Sequence, residues 1–168
     1  MQKIAVITDS CADIPPELAE ASHIFVLPLL IRAGGKDCRA GVDISSQDVY
    51  ELLKTEVPKT SLPSADDALA LLSALAASGY THAFAIMLSS GLSGTANMLR
   101  VIGQQVTGLE LCVWDSLSGS IGCGIVALNA ADAVRAGKSF EEIRALLPVW
   151  GGSTHVFFSV DTLEYLQK

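Results

Sequence analysis

Short runs of β-branched and apolar residues alternate along this chain with longer helical patterns, and this alternation constrains the fold more than any other feature. The runs predict five strands, near residues 3–8, 24–30, 82–88, 109–114 and 155–160. Strands that are separated by helices pair in parallel through right-handed crossovers, which places helices on both faces of the sheet. The sequence therefore predicts an α/β fold, a three-layer sandwich around a mainly parallel sheet.

Helix boundaries are marked by short-range signals. Gly79 and Gly137 each follow an Ala-rich helical stretch, where glycine can end a helix in the left-handed conformation without a Cβ penalty. Three predicted helices begin with a serine placed three residues before an acidic residue, as in a capping box. These pairs are Ser45 with Asp48, Ser64 with Asp67, and Ser139 with Glu142.

The length and hydropathy of the chain indicate its class. Half of the 168 residues are hydrophobic, which is enough to build the core of one domain covering residues 1–168. The longest apolar runs are far shorter than the roughly 20 residues that cross a bilayer, so we expect no stable membrane insertion. Residues 1–9 lack the apolar core and cleavage site of a signal peptide, and we expect a cytoplasmic protein.

Charge and cysteine spacing argue against two kinds of site. The formal net charge is -7, whereas nucleic acid binding requires a clustered basic surface, so we expect no nucleic acid partner. The four cysteines form no C-x-x-C pair, and no histidine stands at zinc-ligand spacing. We expect reduced thiols, with Cys112 and Cys123 buried, and neither a metal nor another cofactor.

A small polar dipeptide follows three of the predicted strands. The dipeptides are Asp9-Ser10, Asp115-Ser116 and Asp161-Thr162. Parallel strands would bring all three to the carboxyl edge of the sheet, which borders the ligand crevice in open α/β folds. The alternative is that these residues simply cap helices.

Residues 88–95, with the sequence LSSGLSGT, predict a strand-turn-helix loop. Gly91 and Gly94 allow close approach to the backbone, while Ser90, Ser93 and Thr95 supply hydroxyl donors. The free N–H groups and the dipole of the following helix favour an anion. A carboxylate or a phosphate would suit this loop, although a turn followed by a helix cap explains it as well.

Residues 57–64, with the sequence VPKTSLPS, predict a second polar loop. Pro58 and Pro63 stiffen it, because proline fixes φ and biases the preceding residue towards extended geometry. Thr60 and Ser61 can therefore present their hydroxyl groups at little ordering cost. A turn before the helix capped by Ser64 is again the alternative interpretation.

Five segments occur in the order seen in DegV proteins, and the chain resembles that family over nearly its whole length. The segments are residues 7–15 (ITDSCADIP), 41–45 (GVDIS), 59–64 (KTSLPS), 89–95 (SSGLSGT) and 115–116 (DS). Residues 160–166 (VDTLEYL) are similar to the family's lead into its second domain. The resemblance implies the fold of the DegV amino-terminal domain, with the second domain absent from this chain.

The resemblance also implies a function. DegV proteins are bacterial fatty-acid-binding proteins that catalyse no reaction themselves and present the acid to a separate ATP-dependent fatty acid kinase. Carried onto this sequence, Thr60 and Ser93 would hydrogen-bond the carboxylate of a long-chain fatty acid, with Ser61 and Ser90 nearby and the acyl chain in an apolar tunnel. The surrounding loop positions would be Ser10, Gly91, Gly94, Thr95 and Ser116.

Two departures from the family pattern bear on this expectation. Leu62 stands where the family usually has glutamine, which removes a polar group beside the headgroup. The chain ends at Lys168, where family members continue through a Gly-Gly-Arg segment into the second domain, which helps to close the site.

Two other functions remain as alternatives. Residues 91–95 (GLSGT) sit in the strand-turn-helix context of a hydrolase nucleophile, which would make Ser93 the nucleophile of an esterase. Thr95 stands where that motif needs glycine, and Asp115 or Asp132 with His155 would have to complete the triad. A phosphate-binding module is the second alternative, but neither of the common glycine-rich phosphate motifs occurs.

Overall fold

The computed structural model describes residues 2–161. The elements are β1 (Ile4–Asp9), a 3-10 turn (Ser10–Ala12), α1 (Pro16–Ala21), β2 (Ile24–Leu27), β3 (Leu30–Ala33), β4 (Lys36–Arg39), α2 (Ser46–Leu52), β5 (Lys59–Ser61), α3 (Ala65–Ala77), β6 (His82–Met87), α4 (Thr95–Gly103), β7 (Glu110–Asp115), α5 (Ile121–Arg135) and α6 (Phe140–Ser153). A four-stranded parallel sheet in the order β2-β1-β6-β7 forms the centre, and a three-stranded antiparallel sheet in the order β4-β3-β5 lies beside it.

Helices cover both faces of the parallel sheet. On one face α3 and α4 bury Leu72 and Leu99 against the side chains of Ala85 and Met87. On the other face α5 and α6 pack around Phe84 and Ile86. Successive residues of a strand point to opposite faces, so β6 supplies both cores, and this explains its almost unbroken apolar sequence. The predicted three-layer α/β sandwich is confirmed.

The small antiparallel sheet was missed by the sequence analysis. Its hairpin joins β3 to β4 through Gly34 and Gly35, whose φ angles of +57° and +80° suit the tight turns that connect antiparallel strands. The strand predicted for residues 24–30 ends at Leu27, because Pro28 has no N–H group to continue the ladder. Leu30 instead begins β3 and pairs with Ser61 of β5.

The prediction of a strand at residues 155–160 was wrong, because these residues form no strand in the structure. Helix α6 begins at the amino edge of the sheet, where the Phe140 N–H donates to Gln2 Oε1 at 2.9 Å, and ends beside Trp114 at the carboxyl edge. The chain thus leaves α6 at the carboxyl edge of the sheet, whereas a further parallel strand would have to begin at the amino edge. Residues 155–160 therefore cannot join the sheet as another parallel strand. Phe157 and Phe158 are 93% and 79% exposed. Asp161 lies outside the sheet, and Thr162 and residues 163–166 lie outside the described residues.

The helix boundary signals are confirmed where they can be compared. Complete capping boxes join Ser45 to Asp48 and Ser139 to Glu142, and Ser64 accepts from the Asp67 N–H. Gly79 and Gly137 both have positive φ angles. Within residues 2–161, every helix is too short or too polar to cross a membrane.

Replacing Ser139 by alanine should lower the free energy of unfolding by about 1 kcal/mol, because the Ser139 side chain accepts from the Glu142 N–H and donates to its carboxylate. The melting temperature should fall by roughly 2–4 °C. Thermal melts followed by circular dichroism would measure this change. Ser159→Ala, in the exposed segment after α6, is the control, and equal melting temperatures for both variants would contradict the prediction.

Candidate functional site

The predicted polar edge forms where β1, β6 and β7 end, and two aspartates organise it. Asp9 is fully buried, and its two carboxylate oxygens accept from the N–H groups of Cys11 at 3.0 Å and Leu88 at 2.8 Å. Burial raises the pKa of Asp9 above its ordinary value, although these two hydrogen bonds act in the opposite direction. Asp9 therefore ties the end of β1 to the start of the loop that follows β6.

Asp115 holds the same loop from the other side. Its Oδ1 accepts from the Ser90 N–H at 3.1 Å and from the Leu117 N–H at 3.0 Å. Partial burial opposes ionisation, but hydrogen bonds from the Ser90 side chain and from these two amides leave the pKa of Asp115 below its usual value. Residues 89–95, which we call the serine loop, are thus anchored by a carboxylate at each neighbouring strand end.

Ser93 and Thr95 form the helix-proximal half of the serine loop. Their hydroxyl oxygens lie 2.8 Å apart, and Ser93 Oγ also accepts from the Thr95 N–H at 3.3 Å. Thr95 is fully buried, whereas Ser93 is half-buried. Helix α4 begins after Gly94, which supplies no side-chain cap, so the N–H groups of its first turn other than that of Thr95, and its dipole, remain available to an anion.

Thr60 and Ser61 lie on β5 rather than in a loop, and both are exposed. Thr60 pairs with Ile31 and Ser61 with Leu30 in the antiparallel ladder. Because adjacent strand residues point to opposite faces, only one of the two hydroxyl groups can face a given cavity. The resemblance implies that Thr60 bonds the carboxylate with Ser61 nearby, and the strand geometry directs the two hydroxyl groups to opposite faces of β5.

The β5 segment and the serine loop lie next to each other. A Cβ atom built on Gly94 would stand 3.6 Å from Leu62 Cδ2, so the Leu62 side chain rests against Gly94. A Cβ atom on Gly119 would stand 3.7 Å from Leu92 Cδ1 and 3.9 Å from Cys11 Sγ. Leu62 thus fills, with methyl groups, the contact where the family usually has an amide.

A mainly apolar cavity of about 300 Å³ opens beside Thr60. We call it the α2 cavity, because the segment containing α2 forms one of its walls. Its lining residues, all in the described part of the chain, carry no carboxylate, ammonium or guanidinium group. They are Ser10, Cys11, Leu29, Ile31, Ala40, Gly41, Ile44, Ser45, Ser46, Val49, Tyr50 and Thr60.

The remaining predicted positions have distinct local roles. Ser10 lines the α2 cavity and accepts from the Leu29 N–H at 3.0 Å. Ser116 is buried and bonded twice to the backbone of Ser118, so its hydroxyl group is already engaged. The Gly91 N–H donates to Ser89 Oγ within the serine loop. The structure brings Ser10 and Thr60 to one cavity, which Ser93 does not line, while Leu62 contacts Gly94, the residue after Ser93.

Other cavities fit an acyl chain less well. A cavity of about 440 Å³ shares Ser10 with the α2 cavity but also contains Asp9 and Asp13. A cavity of about 540 Å³ lies on β7, away from the serine loop, and is lined by Arg100, Glu110 and Arg144 among others. Charged walls disfavour burial of an alkyl chain, so the α2 cavity is the better candidate.

The cysteines offer no activated thiol at this edge. Burial raises the pKa of Cys123 to about 12 and also raises the pKa of Cys11, so both are protonated at neutral pH. All four cysteines are free, and Cys112 is half-buried rather than buried as predicted. No group of three or more potential metal ligands occurs among residues 2–161.

The hydrolase geometry is not present around Ser93. Within residues 2–161 its hydroxyl group contacts Thr95 and makes no hydrogen bond to a histidine. A serine nucleophile needs a base within hydrogen-bond reach. His155 lines a different cavity, together with Trp114 and Phe157.

Comparison with known proteins identifies the family of this chain. The sequence profile described as "Uncharacterised protein, DegV family" matches residues 3–168. The chain belongs to the DegV family. A DegV domain-containing protein of Clostridium acetobutylicum is 40% identical over 168 residues, which are all of this DegV chain and 60% of that protein. The chain therefore spans about 60% of the length of the curated relatives it matches.

Solved structures share the fold of this DegV chain. A DegV family protein from Thermus thermophilus, described for its fatty acid binding, matches with a TM-score of 0.90 and 28% identity, over 99% of this chain and 59% of that one. DegV from Bacillus subtilis, described as a fatty acid binding protein, matches with a TM-score of 0.87 and 32% identity, over 90% and 55% of the two chains.

Several residues of the candidate site were not identified from the sequence. Val49 and Tyr50 line the α2 cavity from a helix that was predicted only by its capping signal, and Ile44 lines it from the segment just before that helix. Cys11 lies in the ITDSCADIP segment but was considered only as a reduced thiol. The signal in the sequence was weak: Ile44, before the helix, and Val49, on it, are apolar positions among polar neighbours.

Proposed function

We propose that this DegV chain holds a long-chain fatty acid by its carboxylate and presents it to a separate ATP-dependent fatty acid kinase, without a reaction of its own. The observation that carries the proposal is an uncharged apolar cavity with the Thr60 hydroxyl group at its edge, next to an uncapped helix start. A carboxylate is the headgroup that hydroxyl and N–H donors recognise, and an alkyl chain is what an uncharged cavity accepts.

Thr60 and Ser93 are the proposed donors to the carboxylate, with Ser61 and Ser90 in outer positions. Hydrogen bonds to a charged acceptor contribute about 1.5–3 kcal/mol each. Each buried methylene adds about 0.8 kcal/mol, so burial of about four methylenes contributes at least as much as one hydrogen bond to the carboxylate. The hydroxyl groups therefore orient the ligand, while the acyl chain supplies most of the affinity.

The relatives support the ligand class. The Thermus thermophilus and Bacillus subtilis proteins are both described by fatty acid binding. An exposed Thr60 would leave the bound carboxylate within reach of a second protein, as transfer of a phosphoryl group from ATP requires. The cytoplasm is the proposed compartment, and four free thiols suit its reducing conditions.

Combined replacement of Thr60 and Ser93 by alanine should weaken fatty acid binding at least about 100-fold, because two donors to a charged acceptor, worth about 1.5–3 kcal/mol each, are lost. Organic extraction and mass spectrometry of the purified protein should then recover much less acid than from the unaltered chain. Far-UV circular dichroism should be unchanged.

Ser73→Ala combined with Thr107→Ala is the matched control, because it removes the same two hydroxyl types from exposed positions away from the site. The control should retain the acid. Equal recovery from both double variants would refute the assignment of Thr60 and Ser93.

A further inference from the structure

Helix α2 differs from the other helices beside the candidate site in that none of its residues is buried. The next helix, α3, buries Ala68, Leu72 and Leu75 in the core. Most of the stability of a helix in a protein comes from packing an apolar face. Helix α2 depends instead on local contacts, which include its capping box and the Lys54–Glu51 ion pair at 2.6 Å.

The segment containing α2 is attached to the rest of the molecule near its two ends. Before the helix, the Arg39 guanidinium donates to both oxygens of Asp43, at 2.8 and 2.9 Å. After the helix, Glu56 Oε1 accepts from the Gly34 N–H at 2.9 Å. Both attachments are polar and exposed, so the helix between them could move without opening the hydrophobic core.

The α2 cavity lies directly under this segment. Its inner wall consists of Cys11 in the turn after β1, Leu29 in the connection between β2 and β3, and Ile31 of β3. Its outer wall includes Val49 and Tyr50 of α2, and Thr60 stands at its edge. None of the residues that line the α2 cavity is fully buried, and those of α2 belong to a helix that buries no side chain at all. Protein interiors rarely leave apolar space unfilled, so this partly exposed apolar lining suits an apolar ligand.

We infer that α2 is a movable cover of this cavity, and that Val49 on its inner side determines how long an acyl chain the cavity accepts. This inference rests on the proposed fatty acid function. An entering chain needs to displace only α2, since in the inner wall Ile31 is held by the antiparallel ladder and the Leu29 N–H donates to Ser10 Oγ at 3.0 Å. A bound chain gives Val49 and its neighbours additional apolar contacts, so ligand binding closes the cover.

Cys11 reports on the interior of the α2 cavity without any substitution. Alkylation by N-ethylmaleimide, followed at each cysteine by peptide mass spectrometry, should slow at least about tenfold at Cys11 when palmitate is present at about 100 times its dissociation constant. Cys112 is also half-buried but lies on β7, and its alkylation rate should not change. Hydrogen exchange of the α2 amides should slow with palmitate, while that of α3 stays constant.

Val49→Trp should fill part of the cavity from the cover side. We expect its affinity for palmitate to fall at least about tenfold and its affinity for octanoate to change less than about threefold, since the shorter chain needs less space. Val101→Trp makes the same change at an exposed position of α4 and should leave both affinities unaltered. Circular dichroism checks that each variant is folded.

The outcomes separate this inference from the function on which it rests. Palmitate binding that depends on Thr60 and Ser93, but leaves Cys11 alkylation and α2 exchange unchanged, would overturn the cover and keep the proposed function. Equal effects of Val49→Trp on palmitate and octanoate would overturn the role of Val49. Failure of the unaltered chain to bind either acid would refute the proposed function itself.

Discussion

Replacing Phe84 by alanine should lower the free energy of unfolding by about 3–5 kcal/mol, because it removes a fully buried ring from the centre of the molecule. Phe84 lies on β6, one of the two central strands, and stacks on Phe140 of α6 with ring centroids 4.4 Å apart. The loss combines the transfer free energy of the ring with the cavity that it leaves. Urea unfolding followed by circular dichroism would measure this loss.

Phe157→Ala is the matched control, since the Phe157 side chain is 93% exposed. Its effect should stay within about 0.5 kcal/mol, as is usual for surface substitutions. Similar losses for the two variants would show that α6 does not pack on the sheet as described.

Replacing Asp9 by alanine should lower the free energy of unfolding by about 2–4 kcal/mol, because the N–H groups of Leu88 and Cys11 would lose their buried acceptor. The expected loss is smaller than that for two independent buried hydrogen bonds, since the variant also removes a buried charge. Fatty acid binding should weaken as well, because Asp9 holds the start of the serine loop. Urea unfolding and ligand titration would measure the two effects.

The pH dependence of Asp9 has a definite sign. Burial raises its pKa in the folded protein above the value of 3.8 expected when unfolded. Folding therefore favours the protonated form, and the Asp9 contribution to stability is greatest below pH 3.8 and declines as the pH rises through the raised pKa. Asp9→Asn removes this dependence, so the stability difference between the unaltered chain and Asp9→Asn should shrink as the pH rises over that interval.

The exposed Asp66 on α3 provides the control for that titration. Unfolding free energies of the unaltered chain, Asp9→Asn and Asp66→Asn would be compared from acidic to neutral pH. If the stability difference between the unaltered chain and Asp9→Asn grew with pH, the raised pKa of Asp9 would be contradicted. If the stability difference for Asp66→Asn changed equally with pH, the effect would come from the net charge of the protein and not from burial of Asp9.

Much of the fold could be predicted because its signals are local. The apolar runs of β1 and β6 specify buried parallel strands within a few residues, and that of β7 specifies a partly buried one. Capping boxes and terminal glycines mark helix ends through contacts three or four residues apart. Residues 155–160 have the same strand-like composition, yet α6 ends at the carboxyl edge of the sheet, where a parallel strand cannot begin. The composition of a segment does not show at which edge of the sheet the preceding helix ends.

The candidate site shows the same division. The residue types at the sheet edge and the resemblance to the DegV family could be read from the sequence. The reason is that Asp9, Thr60, Ser93 and Asp115 stand in short segments that are recognisable without a structure. Three further relations became visible only in the folded molecule. Leu62 contacts Gly94, Thr60 lines a cavity beside α2, and the carboxylate of Asp9 accepts from the Leu88 N–H. These relations join segments that are distant along the chain, and their geometry depends on how whole layers pack.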